Sequence, residues 1–246
     1  MELWQFGILI AMGLLSGIVN VMAGGGSVLT VPTMILLGLP GAAANGTNRI
    51  AVLAQDVTAV VTFYRRGHSD FRLSASLAAC ALPGALIGAW VGVSLDSELF
   101  NRLLALIMVG VLALMFLGKS REGGAVTTRR RGLGHLLMAL AGFWGGFIQI
   151  GMGFIVIPIL HRVMGLDLVT ANIHKAFITA TYTAGALLIF SFGGDIYWLI
   201  GAVLALGNAA GGYLGARLAL AKGERLIKRV LAVAIMVLVI QLLFPF

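Results

Sequence analysis

Two short polar runs stand out in an apolar chain, Ala44-Asn45-Gly46-Thr47-Asn48-Arg49 and Ala171-Asn172-Ile173-His174-Lys175-Ala176. Each supplies one cation, Arg49 or Lys175. Asn45, Thr47 and Asn48 surround the first, Asn172 and His174 the second. A guanidinium forks onto oxyanions and an ammonium presents a compact point charge. Both runs open predicted helices, whose first N–H groups also favour anions. Together these residue types describe a site for a small anion. The competing reading is that Arg49 and Lys175 snorkel to opposite membrane interfaces, and the residues alone leave both open.

A second pair of features lies just upstream of each run. Gly24-Gly25-Gly26-Ser27 and Ile150-Gly151-Met152-Gly153 interrupt apolar stretches that would otherwise read as long helices. Irregular backbone at membrane depth persists where protein or a water-filled cavity satisfies its polar groups, and broken helices point to transporter binding sites. Small-residue packing between helices is the alternative. Gly25, Gly26, Ser27, Gln149 and Gly151 therefore join the candidate ligand-binding set. Gln149 could equally satisfy the freed backbone of its own break. Asp56, two helical turns beyond Arg49, is either a proton-coupling carboxylate or a partner neutralising a buried cation. His174 is a second proton-coupling candidate.

Composition fixes the class. The 246 residues are 60% hydrophobic and 11% charged, against about 25% charged in soluble domains. Apolar segments near twenty residues recur, each able to cross a hydrocarbon core of about 30 Å. The net charge of +8 comes from basic residues in short loops, which is the pattern of cytoplasmic loops and not of nucleic-acid binding. Cys80 is the single cysteine, so no intrachain disulfide can form. No CxxC, HExxH or GxxxxGK[ST] pattern occurs, so neither metal, cofactor nor nucleotide is expected. No nucleophile–base motif points to an enzyme. A transition-metal cation transporter and an intramembrane enzyme stay as alternatives, the latter resting only on Ser27 with His174.

The elements that must position these residues repeat. Pro158 follows Pro32 by 126 positions; one further residue then gives a constant offset of 127, pairing Gly38-Leu39 with Gly165-Leu166 and Asn45 with Asn172. The same offset pairs Gly84 and Gly88 with Gly211 and Gly215. Residues 1–118 and 132–246 read as two membrane repeats joined by a connector over 119–131. Placing fourteen of the seventeen lysines and arginines in the cytoplasm puts the repeats in opposite orientations. The connector is then cytoplasmic and both termini are outside. Within each repeat the segment before the glycine break and the short one after it, about Ser27 to Leu37 in the first, read either as two spans or as a re-entrant hairpin, and the shortness of the second favours the hairpin. Gly84-xxx-Gly88 and Gly211-xxx-Gly215 fit packing within or between subunits, which leaves the oligomeric state open.

These residues resemble the sulfite exporter TauE/SafE family. The likeness rests on the glycine run leading to Val31-Pro32, Gly38-Leu39-Pro40, Asn45-Gly46-Thr47-Asn48, Arg65-Arg66-Gly67 and Gly84-Ala85-Leu86-Ile87-Gly88-Ala89. It continues through Gly211-Gly212-Tyr213-Leu214-Gly215-Ala216-Arg217 in the second repeat. The resemblance implies a bacterial or archaeal plasma-membrane permease for sulfite, thiosulfate, sulfonates or related anions, with a pathway between two inverted repeats. Ile150-Gly151-Met152-Gly153 and Ile173-His174-Lys175 depart from the family pattern and put substrate identity in question. The resulting expectation is an all-α, polytopic integral membrane protein with two inverted-topology repeats and broken or re-entrant helices. It would move a small anion across the bilayer by alternating access.

Overall fold

A computed structural model describes residues 2–68, 71–96, 98–100, 102–103, 106 and 130–243; past Lys222 it describes backbone and the Leu226 side chain. The expected last span of the first repeat, 99–117, lies outside the described residues except for a few positions, as does the connector up to 129.

Every described element is helical. Helix α1 (Leu3–Ala23) stops at Gly24, whose φ of 79° lets its N–H reach back to Asn20 O at 2.7 Å, a glycine-terminated C-cap. A short α2 (Ser27–Leu36) follows, then α3 (Gly41–Arg65), entered through Pro40, and α4 (Phe71–Val93). The second half repeats the order. Helix α5 (Arg131–Phe147) breaks at Ile148–Met152, and α6 (Gly153–Pro158) runs on as a π turn over Ile159–Val163. His161 Nδ1 pairs with Leu166 O at 2.7 Å across the end of that turn.

Helix α7 (Leu168–Gly193) is capped by Asp167, whose carboxylate accepts from the amides of Val169 (3.0 Å) and Thr170 (2.9 Å). Partial burial of Asp167 works to raise its pKa, but hydrogen bonds from Thr170 and Val169 outweigh it and hold the carboxyl below its ordinary 3.8. Helix α8 (Trp198–Leu243) is 46 residues long. It runs without a turn through Lys222-Gly223-Glu224-Arg225, where the charge pattern suggests a basic loop. Around Gly223 that stretch holds Lys, Glu and Arg, which are good helix formers, and no proline. Among the described residues, four helices are long and apolar enough to cross a membrane: Leu3–Ala23, Phe71–Val93, Leu168–Gly193 and Trp198–Lys222.

Close glycine contacts set the packing and its directions. A Cβ on Gly13 would meet Leu204 O at 2.6 Å, and one on Gly17 would meet Asn208 O at 2.5 Å; Gly207 and Gly211 face Ile10 and Leu14 in return. Helices α1 and α8 thus run parallel at close range. Helices α4 and α5 do the same, with Gly84 against Ala139, Gly88 against Phe143 and Gly146 against Ala85. Both Gly-xxx-Gly spacings therefore pack within the chain. Thr47 lies by Gly201 and Gln55 by Gly212, so α3 runs with α8. Ser74 meets His174 and Gly185 meets Leu82 and Leu86, so α4 runs with α7. Between α3 and α7 the order reverses, since Gly46 lies against Phe190 while Phe63 clusters with Ala176. Helices α1, α3 and α8 therefore point one way and α4, α5 and α7 the other. Helix α2 turns back along α1, because Leu9 shares a buried cluster with Val31 and Met34.

Candidate functional site at the meeting of the two breaks

Each break exposes carbonyls, because the last four C=O groups of a helix have no partner within it. At membrane depth water is not at hand, so side chains must supply donors. The chain answers with an exchange. Arg49 on α3 donates to the carbonyls ending α5: Nη1 to Gly145 O (3.1 Å), and Nη2 to Gly146 O and to Phe147 O (3.3 Å). Asn45, one turn earlier, donates to Phe147 O at 3.0 Å. Lys175 on α7 donates to the carbonyls ending α1, Asn20 O (2.5 Å) and Val21 O (2.8 Å), and Asn172 donates to Met22 O at 3.0 Å. Each half thus caps the broken helix of the other with an asparagine and a cation, the charge that a helix C-terminus favours. Arg49 is 0% and Lys175 3% exposed, so neither snorkels. The Phe190 ring covers the Arg49 guanidinium at 4.3 Å.

The tips of the broken segments touch. Gly153 N donates to Gly24 O at 3.1 Å, and a Cβ on Gly24 would come within 2.0 Å of Gly153 Cα. Beside this contact is a buried cavity of about 10 Å³, room for one water. Asn20, Gly24 and Ser27 line it from the first break, and Gln149, Met152 and Gly153 from the second. Val52 and Asp56 of α3 and Lys175 and Thr179 of α7 complete the wall. Asp56 Oδ1 accepts from Gln55 Nε2 (3.0 Å), and Gln55 Oε1 accepts from Asn208 Nδ2 (3.2 Å). Asp56 Oδ2 is buried with no hydrogen-bond partner, and so is Gln149 Oε1. Gln149 Nε2 donates to Thr183 Oγ1 at 2.7 Å. Its backbone has φ 63°, the one left-handed non-glycine among the described residues, a strained conformation that clusters at functional sites. Among the described residues the ion pair within 4 Å is the exposed Arg102–Glu98; Asp56 and Lys175 share the cavity wall without one.

Of the residues singled out in the sequence, Ser27, Gln149, Lys175 and Asp56 meet at the cavity. Asn45, Asn172 and Arg49 are committed to helix ends. Asn48 joins α3 to α2, accepting from Thr30 Oγ1 (2.6 Å) and donating to Ser27 Oγ (3.0 Å), one step behind the cavity wall. Thr47 Oγ1 accepts from Tyr197 N at 3.1 Å. His174 faces Ser74 Oγ at 2.7 Å, in the α4–α7 contact. Gly25 packs under the Phe154 ring, Gly26 against Ser16 and Asn20, and Gly151 turns at φ 73°. Sequence reasoning missed Asn20 and Thr179. Asn20 was findable as the lone amide near the end of an apolar segment, and Thr179 as the residue one turn after Lys175.

Several apolar helices, with two breaks meeting beside a small buried cavity, mark a multi-pass membrane protein. The family model for the sulfite exporter TauE/SafE matches residues 9–242, and the chain belongs to that family. It is 27% identical over 233 residues to the probable membrane transporter protein ORF9 of Sinorhizobium sp, covering 93% of this chain and 88% of that one. Against the probable membrane transporter protein YfcA of Escherichia coli K12 the identity is 29% over 244 residues, covering 97% and 89%. A probable membrane transporter protein of Haemophilus influenzae is 28% identical over 226 residues, covering 90% and 88%. No solved structure matches the chain.

Proposed function

We propose that the protein is a secondary transporter, not an enzyme, and that it carries a small anion, a sulfur oxyanion or organosulfonate, by alternating access around the cavity between the two breaks. The observation that carries this reading is that residues of both halves, with the Lys175 ammonium among them, line one buried polar space. A sulfur oxyanion is larger than one water, so the walls must part to admit it. The one-water cavity then corresponds to a closed state. Lys175 supplies the charge, and Ser27, Asn20 and Thr179 supply hydrogen-bonding groups around it. The opposite directions of α1 and α5, α3 and α7, and α4 and α8 support two inverted repeats that rock about this point.

Asp56 is the coupling group in this scheme. Its Oδ2 has no hydrogen-bond partner and it lines the same cavity as Lys175, so an anion entering there sits beside both groups, and that adjacency is what would link anion and proton movement. The distribution of lysine and arginine supports a cytoplasmic connector and an outer N-terminus in a bacterial or archaeal plasma membrane; because α8 runs on past Lys222 without a turn, it does not carry the chain back to the outer face. The test is flux of sulfite, thiosulfate and a taurine-like sulfonate into proteoliposomes, with and without a pH gradient or an imposed voltage. Saturable uptake of at least one anion, lost in K175Q, is the expected result. No flux of any of the anions by correctly inserted protein would overturn the reading.

A further inference from the structure

A second cavity lies away from the breaks, where the end of α3 meets the middle of α8. It is an open cleft of about 530 Å³, within the range of small-molecule sites. Its polar part is formed by the Arg66 and Arg217 guanidinium groups with the His68 imidazole, and its apolar wall by Leu214, Leu218 and Leu220. Among the described residues that line it there is no carboxylate. Arg217 is held on the helix surface by its own turn: Nη1 donates to Tyr213 Oη at 3.0 Å, and the guanidinium lies 5.4 Å from the Tyr213 ring centroid.

The cleft is placed where the chain leaves the apolar layer. Helix α3 ends at Arg65, and the apolar stretch of α8 ends at Lys222. Arg65, Arg72 and Lys222 are exposed cations outside its lining. Leu214, 40% exposed, offers an apolar surface beside the cations. A small hydrophilic anion would use the arginines and gain nothing from three leucines. A ligand with an anionic head and a hydrocarbon chain uses both.

We propose that this cleft is a binding site for an anionic phospholipid, with the phosphate against Arg66 and Arg217 and an acyl chain along Leu214, Leu218 and Leu220. Basic clefts between membrane helices recognise anionic headgroups in this way, and guanidinium groups fork onto phosphate oxygens. The inference is independent of what the central cavity carries. The test is thermal unfolding of the purified protein in mild detergent with added phosphatidylglycerol or phosphatidylcholine of the same chain length. Phosphatidylglycerol is expected to raise the unfolding temperature more than phosphatidylcholine does. That advantage is expected to vanish in R66Q/R217Q, shrink in L218Q and persist in R65Q/R72Q. Counting retained lipid by native mass spectrometry gives the same comparison should a variant unfold early. Equal effects of the two lipids, an advantage that survives R66Q/R217Q, or one lost equally in R65Q/R72Q would overturn the proposal. Full reproduction of the shift by chain-free glycerol phosphate would overturn it too, since the apolar wall would then play no part.

Discussion

Lys175 and Arg49 are alike in chemistry and differ in what they face. Lys175 reaches two carbonyls and also lines the cavity; Arg49 is spent on three carbonyls and a ring. Removing a donor from a buried carbonyl costs about 1–3 kcal/mol. R49Q is therefore expected to lower the unfolding temperature markedly. R49K recovers only part of it, because an ammonium cannot fork across the three carbonyls. K175Q is expected to lose stability too, and to lose anion flux beyond what its stability explains. Asp56 faces Lys175 across the cavity. D56N keeps the acceptor for Gln55 but leaves the buried Lys175 ammonium without a facing carboxylate, so its unfolding temperature should fall while the response of flux to a pH gradient disappears. Gln149 is held at φ 63°. Q149V places a β-branched residue there and should cost about 2 kcal/mol, read by unfolding in detergent, whereas Q149N is tolerated because asparagine accepts the left-handed region. Outside the membrane layer, the hydrogen-bonded Asp167 is depressed below 3.8. Its stabilising effect is present above that ordinary value and fades as pH falls through the lower folded one. D167A is expected to remove about 1 kcal/mol of capping at pH 7 and progressively less in acid.

At the level of elements, glycine decides which helices can touch. A Cβ on Gly146 would stand 1.9 Å from Ala85 O, and one on Gly88 2.0 Å from Phe143 O. G146L or G88V must push α4 from α5, and overpacking of this kind costs about 1–3 kcal/mol or more. Gly7, in α1, has nothing within 4 Å of a built Cβ. G7A should leave the unfolding temperature unchanged or raise it slightly, since alanine is the better helix former. The contrast between these substitutions, measured by thermal unfolding, separates packing glycines from incidental ones. Both breaks were legible in the sequence because they are written in the spacing of glycines. The unbroken course of α8 through its basic stretch was not, because local charge marks a loop only when no helix-forming run continues through it.

On the scale of the whole molecule, the two halves are locked through each other. Helix α1 packs on α8 and α4 on α5, and each half's third helix caps the other half's broken first helix. A motion that opens the cavity must therefore separate Gly24 from Gly153, the contact at which the tips meet. With Cys80 replaced by serine, S27C is expected to resist thiol reagents in the closed state and to become labelled when a transported anion is present. Labelling independent of the anion would mean that the cavity opens without turnover.

The sequence by itself determined the class: sixty percent hydrophobic residues and recurrent twenty-residue spans admit no soluble fold. It also named the polar residues that had to be buried. Which of them face the cavity was decided only by tertiary structure. An isolated helix start cannot tell whether its cation will meet a ligand or a carbonyl. That depends on where the opposite half ends its own helix, a fact stored more than ninety residues away. Arg49 and Asn45 were thus drawn to α5, Lys175 was shared between α1 and the cavity, and Asn20, unremarkable in its own segment, came to line the centre of the molecule.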